Sequence, residues 1–150
     1  MSPVTPMTPV VGPYAPVRRV GDWVVTSGQL GVIKGADGGA ELATGGTTGQ
    51  LRQALTNLST LLNQESVGLT DVVKATLFLV EIDDLDALNE VWAESFAPNL
   101  PVRTTVAVSA LPLGASVEVE AWAHATRRWV QSTAPEVASQ SPLDGATQLL

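Results

Sequence analysis

The sequence contains no cysteine and a single histidine, His124. That excludes disulfides, a thiolate nucleophile and thiolate metal sites, and it removes any His-rich zinc or iron centre. Basic side chains are scarce: 8 Lys and Arg stand against 15 Asp and Glu, for a net charge of −7 and a pI near 4.5. Cations this few and this scattered do not track a phosphate backbone or an anionic lipid surface, so neither nucleic acid nor membrane is expected as a partner. No apolar run approaches the roughly 18 residues of a membrane span. Met1 to Val10 has neither the basic nor the apolar region of a signal peptide. A cysteine-free chain suits a reducing compartment, and a cytoplasmic location is expected. The glycines from Gly35 to Gly46 follow no phosphate-loop spacing.

What is present fits one α+β domain of 150 residues. Residues 1–10 read as a proline-containing extension, 11–128 as the domain, and 129–150, rich in Ser, Ala, Pro, Gln and Thr, as a flexible tail. Val17 to Val20 and Trp23 to Gln29 are predicted strands around a turn at Gly21-Asp22. Glycines 31, 35, 38 and 39 mark a loop. A helix starts at Thr47 or Thr48, carries the stripe Leu51, Leu55, Leu58 and Leu62, and stops at Gly68. A strand over Val72 to Val80 should direct Val73, Ala75, Leu77 and Leu79 one way and Val72, Lys74, Thr76 and Phe78 the other. Asp83 or Asp84 begins a second helix, with Leu85, Leu88, Val91, Trp92 and Phe96 inward; Pro98 and Pro101 end it. Arg103 to Val108 and Ser116 to Ala125 are the last strands, separated by a turn at Pro112 to Ala115. Two helices cover only one face of a sheet of about five strands. Phe78, Trp122 and several threonines remain on the other, which implies self-association.

Charge within strands is costly, so Arg103, Glu118 and Glu120 stand out. The turn near Pro112 makes their strands candidates for an antiparallel pair, which would bring Arg103 close to Glu118 and Glu120. Two readings stay open from residue types alone. One is a cross-strand salt bridge on a wet face. The other is an arginine whose planar fork grips a substrate carboxylate beside a carboxylate that activates water. Ser27 has no His/Asp relay, so a serine nucleophile is not expected. Trp92 reads as helix core, and His124 as surface or interface.

Seven segments in order carry a resemblance: Gly12-Pro13-Tyr14, Thr26-Ser27-Gly28-Gln29, the run from Gln50 to Leu58, the run from Asp71 to Leu79, Asn89, Pro101-Val102-Arg103-Thr104-Thr105-Val106, and Val117 to Ala123. Between about Val11 and Arg127 the chain resembles the YjgF/Rid family of enamine/imine deaminases. The resemblance implies a chorismate-mutase-like fold: a mixed β-sheet with two helices on one face, assembled as a homotrimer around a central β-barrel. It implies an enzyme that hydrolyses 2-iminopropanoate (from 2-aminoacrylate) and 2-iminobutanoate to 2-keto acids and ammonia, without cofactor or metal.

By the same resemblance Arg103 clamps the substrate carboxylate and Glu118 holds the water. Tyr14, Ser27, Gly28, Asn89 and Thr105 are the substrate-binding positions, Thr105 standing where many members have cysteine. Val102, Leu30-Gly31-Val32 and Trp122 depart from common family residues and are expected to reshape the pocket. A trimer that only binds a 2-keto acid or similar small molecule is the alternative.

Overall fold

Apolar and polar residues alternate along the last strand, which puts Val117, Val119, Ala121 and Ala123 on one side and Glu118, Glu120, Trp122 and His124 on the other. In the computed structural model, which describes Val10 and residues 12–125, the first set is completely buried and this strand lies at the centre of the sheet. Apart from Val10, the expected extension over 1–10 and the tail over 129–150 lie outside the described residues, as does the domain boundary at 128.

Strands β1 (Val17–Val20), β2 (Trp23–Thr26), β3 (Gln29–Leu30), β4 (Val32–Lys34) and β5 (Ala40–Leu42) precede helix α1 (Gly46–Gln64). Strand β6 (Val72–Leu79), helix α2 (Leu85–Phe96), β7 (Val102–Ala107) and β8 (Val117–His124) follow. The main sheet runs β1-β2-β8-β6-β7, with β3 also on β8; β4 and β5 form a separate hairpin. Only β6 and β7 are parallel. Both helices cover one face. Leu51, Leu55, Leu58 and Leu62 of α1 and Leu88, Val91, Trp92 and Phe96 of α2 share one core with Ala75, Leu77 and Leu79 of β6. Burying each large side chain contributes roughly 1.5–3 kcal/mol, so these two stripes fix the layering. Among the described residues no helix is long and apolar enough to cross a membrane.

Several expectations need correction. The strand expected over Trp23 to Gln29 is interrupted. Val25 pairs with Trp122 and Gln29 with Val119, so three residues of this segment oppose two of β8, as in a β-bulge. Thr26 Oγ1 fills the gap by accepting the Ala121 N–H at 3.1 Å. The glycine loop contains the β4–β5 hairpin. A register shift between Val72 and Lys74 turns Val73 outward and Val72 into the core. Helix α1 ends at Gln64, and the left-handed residue beyond it is Ser66, while Gly68 is extended. Asp84 does sit at the start of α2, but its carboxylate accepts a hydrogen bond from Thr47 Oγ1 at 3.0 Å instead of capping the helix.

The largest correction concerns β7 and β8, which do not pair. The α2 crossover returns β7 parallel to β6, which buries α2 on the sheet. The segment from Val108 to Ser116 then steps over β6, and β8 pairs with the opposite edge of β6.

Gly31 lies against the first turns of α1; a Cβ there would collide with the backbone of Gln50. Backbone cannot swing aside as a side-chain tip can. Gly31→Ala is expected to destabilise the fold by about 1–3 kcal/mol in denaturant titration. Unchanged stability would mean that α1 is free to move away from this hairpin.

Candidate active site

Glu118 projects from β8 on the helix-free face, opposite Leu30 of β3 and Phe78 of β6. Its carboxyl lies directly over Gly28, in the interrupted segment, where a Cβ would occupy the same space. Glycine at 28 therefore makes room for the acid. Half-burial pushes the Glu118 carboxyl above the ordinary glutamate range, and the Glu120 charge two residues along the same face adds to the shift.

Glu118, Gly28 and Tyr14 line one cavity of about 220 Å³. Its other walls include Leu30 and three residues that sequence reasoning had not singled out: Leu113 and, from α1, Gln53 and Asn57. Asn57 donates to the carbonyls of Leu30 and Val32 at 3.0 and 2.9 Å, and Gln53 donates to Asn57 Oδ1 at 2.9 Å. These amides pin β3 and β4 to α1. The signal for Asn57 was weak: a polar residue beside the leucine stripe, with its partners far away in sequence. Leu113 adopts a left-handed backbone (φ 61°) and is exposed. A non-glycine residue in that region carries strain of about 1–2 kcal/mol, and such outliers concentrate at functional sites.

Ser27 is not part of this wall. Its hydroxyl donates to the Ala15 carbonyl at 2.6 Å and its backbone N–H to Pro16 O at 2.8 Å. It tethers the segment that carries Tyr14.

Arg103 belongs to a second group. It lies on β7 at the sheet edge, on the helix side, level with Ala75 of β6. Nη2 donates to Asn89 Oδ1 at 2.8 Å, and the guanidinium carbon lies 5.1 Å from the centre of a Trp92 ring. Partial burial lowers its pKa from the ordinary arginine value. Among the described residues the one salt bridge is Arg52–Glu94, so no carboxylate neutralises Arg103. Thr105 is partly buried, two residues along the same strand.

Within the chain the expected meeting of Arg103 with Glu118 and Glu120 does not occur. Strand β6 separates their strands. Arg103 aligns through Ala75 with Ala121, three residues from Glu118, and the two side chains point to opposite faces. Nor do two of the family departures reach the cavity. Trp122 packs edge-on against Trp23, with ring centres 6.3 Å apart, and Val102 is exposed at the sheet edge. Leu30 and Val32, from the third departure, do line it.

Residues 5–125 match the family model described as Endoribonuclease L-PSP. The chain belongs to the YjgF/RidA family. Among its relatives, a protein from Capra hircus named 2-iminobutanoate/2-iminopropanoate deaminase is 38% identical over 74% of this chain and 79% of its own length. The human protein of the same name is 34% identical over the same shares. The crystal structure of RidA from an Antarctic Psychrobacter superposes with a TM-score of 0.74 at 34% identity, covering 81% of this chain and 96% of the other. Escherichia coli TdcF with bound serine gives 0.74 at 29% identity, covering 82% and 97%. The two helices and mixed sheet are those of the YjgF/RidA fold.

The raised Glu118 pKa has a consequence for stability. A carboxyl whose folded pKa exceeds its unfolded one binds its proton more tightly in the native state. Folding stability therefore falls as pH rises through the interval between the two values. Glu118→Gln removes the buried charge. Its Tm is expected to exceed that of the unsubstituted protein by about 1–3 °C at pH 7, with the difference shrinking below the ordinary glutamate range. A Tm gap that is constant from pH 4 to 7 would contradict the burial of this charge.

Proposed function

We propose that the chain hydrolyses 2-iminopropanoate and 2-iminobutanoate, and their enamine tautomers, to 2-keto acids and ammonia. The site is shared between neighbouring copies of a homotrimer, with Glu118 from one copy facing Arg103 of the next. The observation that carries this reading is the half-buried Glu118 carboxyl, held over Gly28 at the wall of a cavity and shifted toward neutral pH. Such a group can take a proton from water and then return it. Arg103, a partly desolvated cation with no carboxylate partner among the described residues, is suited to an external carboxylate. The two lie on opposite faces of the sheet, so a second copy must bring them together. The helix-free face, with Phe78, Trp23 and Trp122, supports assembly around a closed barrel, since exposed apolar area of this kind favours burial. A cysteine-free chain fits the reducing cytoplasm.

In this mechanism the substrate enters as an iminium ion, its carboxylate on Arg103. Glu118 takes a proton from water while the new C–O bond forms, and the C=N electron pair passes to nitrogen. The resulting carbinolamine receives that proton from Glu118 on its nitrogen. The C–N bond then breaks, ammonia leaves, and the hydroxyl proton is lost as the keto group forms. The iminium carbon is already electrophilic, so no cofactor or metal is invoked.

A second reading, a trimer that binds a small molecule without turnover, draws support from the relative TdcF, crystallised with bound serine. RNA cleavage, suggested by the family model's description, is opposed by the net charge of −7.

The test uses a PLP-dependent threonine dehydratase as the imine source and semicarbazide as a competing trap. Added protein is expected to suppress semicarbazone formation and speed release of 2-ketobutyrate. Arg103→Ala loses two charge-assisted hydrogen bonds of about 1.5–3 kcal/mol each, which predicts at least a tenfold fall in kcat/KM. Glu118→Gln should fall as far. Co-expressing the two variants should restore part of the activity, because mixed trimers regain interfaces with both groups intact. Hydrolysis no faster than the spontaneous rate would leave the binding-only reading.

A further inference from the structure

Arg103 is a long side chain on an edge strand, yet it is held at two points, both on α2. Asn89 accepts one hydrogen bond from Nη2, and a Trp92 ring lies 5.1 Å from the guanidinium carbon. Trp92 is itself immobilised: it is 4% exposed and packs on Phe96 with ring centres 4.6 Å apart. Neither partner carries charge. A carboxylate in either place would neutralise the guanidinium and occupy its fork. An aromatic face attracts the cation through its quadrupole and uses none of its N–H donors. Of the five donors of an arginine, the Asn89 contact uses one, and no other side-chain partner of Arg103 occurs among the described residues.

From this geometry we propose that Trp92 is a positioning residue: its indole face fixes the Arg103 guanidinium in place while leaving the charge and the remaining donors available to a substrate carboxylate. This rests on the reading of Arg103 as the carboxylate clamp. It adds a requirement that helix packing alone does not impose, namely that the side chain at 92 be aromatic and electron-rich as well as large.

The test separates ring electronics from packing. In the full-length protein, Trp92→Phe and Trp92→Tyr keep an aromatic face, whereas Trp92→Met fills volume without one. With Trp92→Met, the KM for 2-iminobutanoate and the Kd for pyruvate should both rise roughly 3- to 30-fold, with kcat changed less. The two aromatic variants should stay within about threefold of the unsubstituted protein. Thermal unfolding of each variant tracks packing separately. Should Trp92→Met fail to fold, tryptophan with one, two or three ring fluorines installed at position 92 alone keeps the shape and weakens the π face. Pyruvate Kd should then climb with each fluorine. A flat fluorine series, or equal losses in the Phe and Met variants, overturns the proposal. Arg103→Ala is the control for the reading beneath it: an unchanged pyruvate Kd there removes the clamp itself, whereas a weakened Kd beside a flat fluorine series removes only the role of Trp92.

Discussion

Strand β6 hydrogen-bonds along both edges, parallel to β7 and antiparallel to β8, and this double pairing decides where each charged group lies. The α2 crossover forces the parallel pair, because a helix that returns over the sheet must bring the next strand back in the same direction. Once β7 occupies one edge of β6, β8 takes the other. Arg103 then lies at the rim under α2, and Glu118 near the middle of the sheet on the opposite face. The separation of Arg103 from Glu118 within the chain follows from connectivity.

This separation has an electrostatic side. Adjacent in one chain, Arg103 and Glu118 would form an internal ion pair that depresses the carboxyl pKa and leaves the guanidinium occupied. In the isolated chain the two are apart, and neither is paired with an opposite charge among the described residues. Glu118 is pushed up by burial and by Glu120, and Arg103 rests on neutral partners. The bulge at Ser27-Gly28 opens the space that the Glu118 carboxyl fills.

Local periodicity was legible in the sequence; long-range pairing was not. The leucine stripe of α1, the inner face of α2 and the alternation in β8 depend on neighbours one to four residues apart, and all three lie where spacing put them. The pairing of β7 with β6 depends on a crossover, and Pro112, in a sequence that suggests a hairpin turn, points the wrong way. The bulge at Val73 depends on the register with Ala123, and the β4–β5 hairpin is concealed among glycines. At the candidate site, Arg103 and Glu118 were visible as charges in strands, and Tyr14 and Gly28 through resemblance. Gln53, Asn57 and Leu113 were not, because their roles arise from backbone groups distant in sequence or from a strained φ. Trp92 was read as core, which it is, but its contact with Arg103 appears only once the fold places β7 beneath α2.

The edge-to-face pair of Trp23 and Trp122 offers an optical handle. Both indoles meet solvent at 41% and 50% exposure, whereas Trp92 is sealed within the core. Indoles in water emit at longer wavelength than indoles in hydrocarbon. If copies assemble through the helix-free face, as proposed, dilution would redden the emission of Trp23 and Trp122 and leave that of Trp92 in place; the fourth tryptophan, Trp129, lies outside the described residues. In such an assembly the Trp23–Trp122 pair would report association without any attached label.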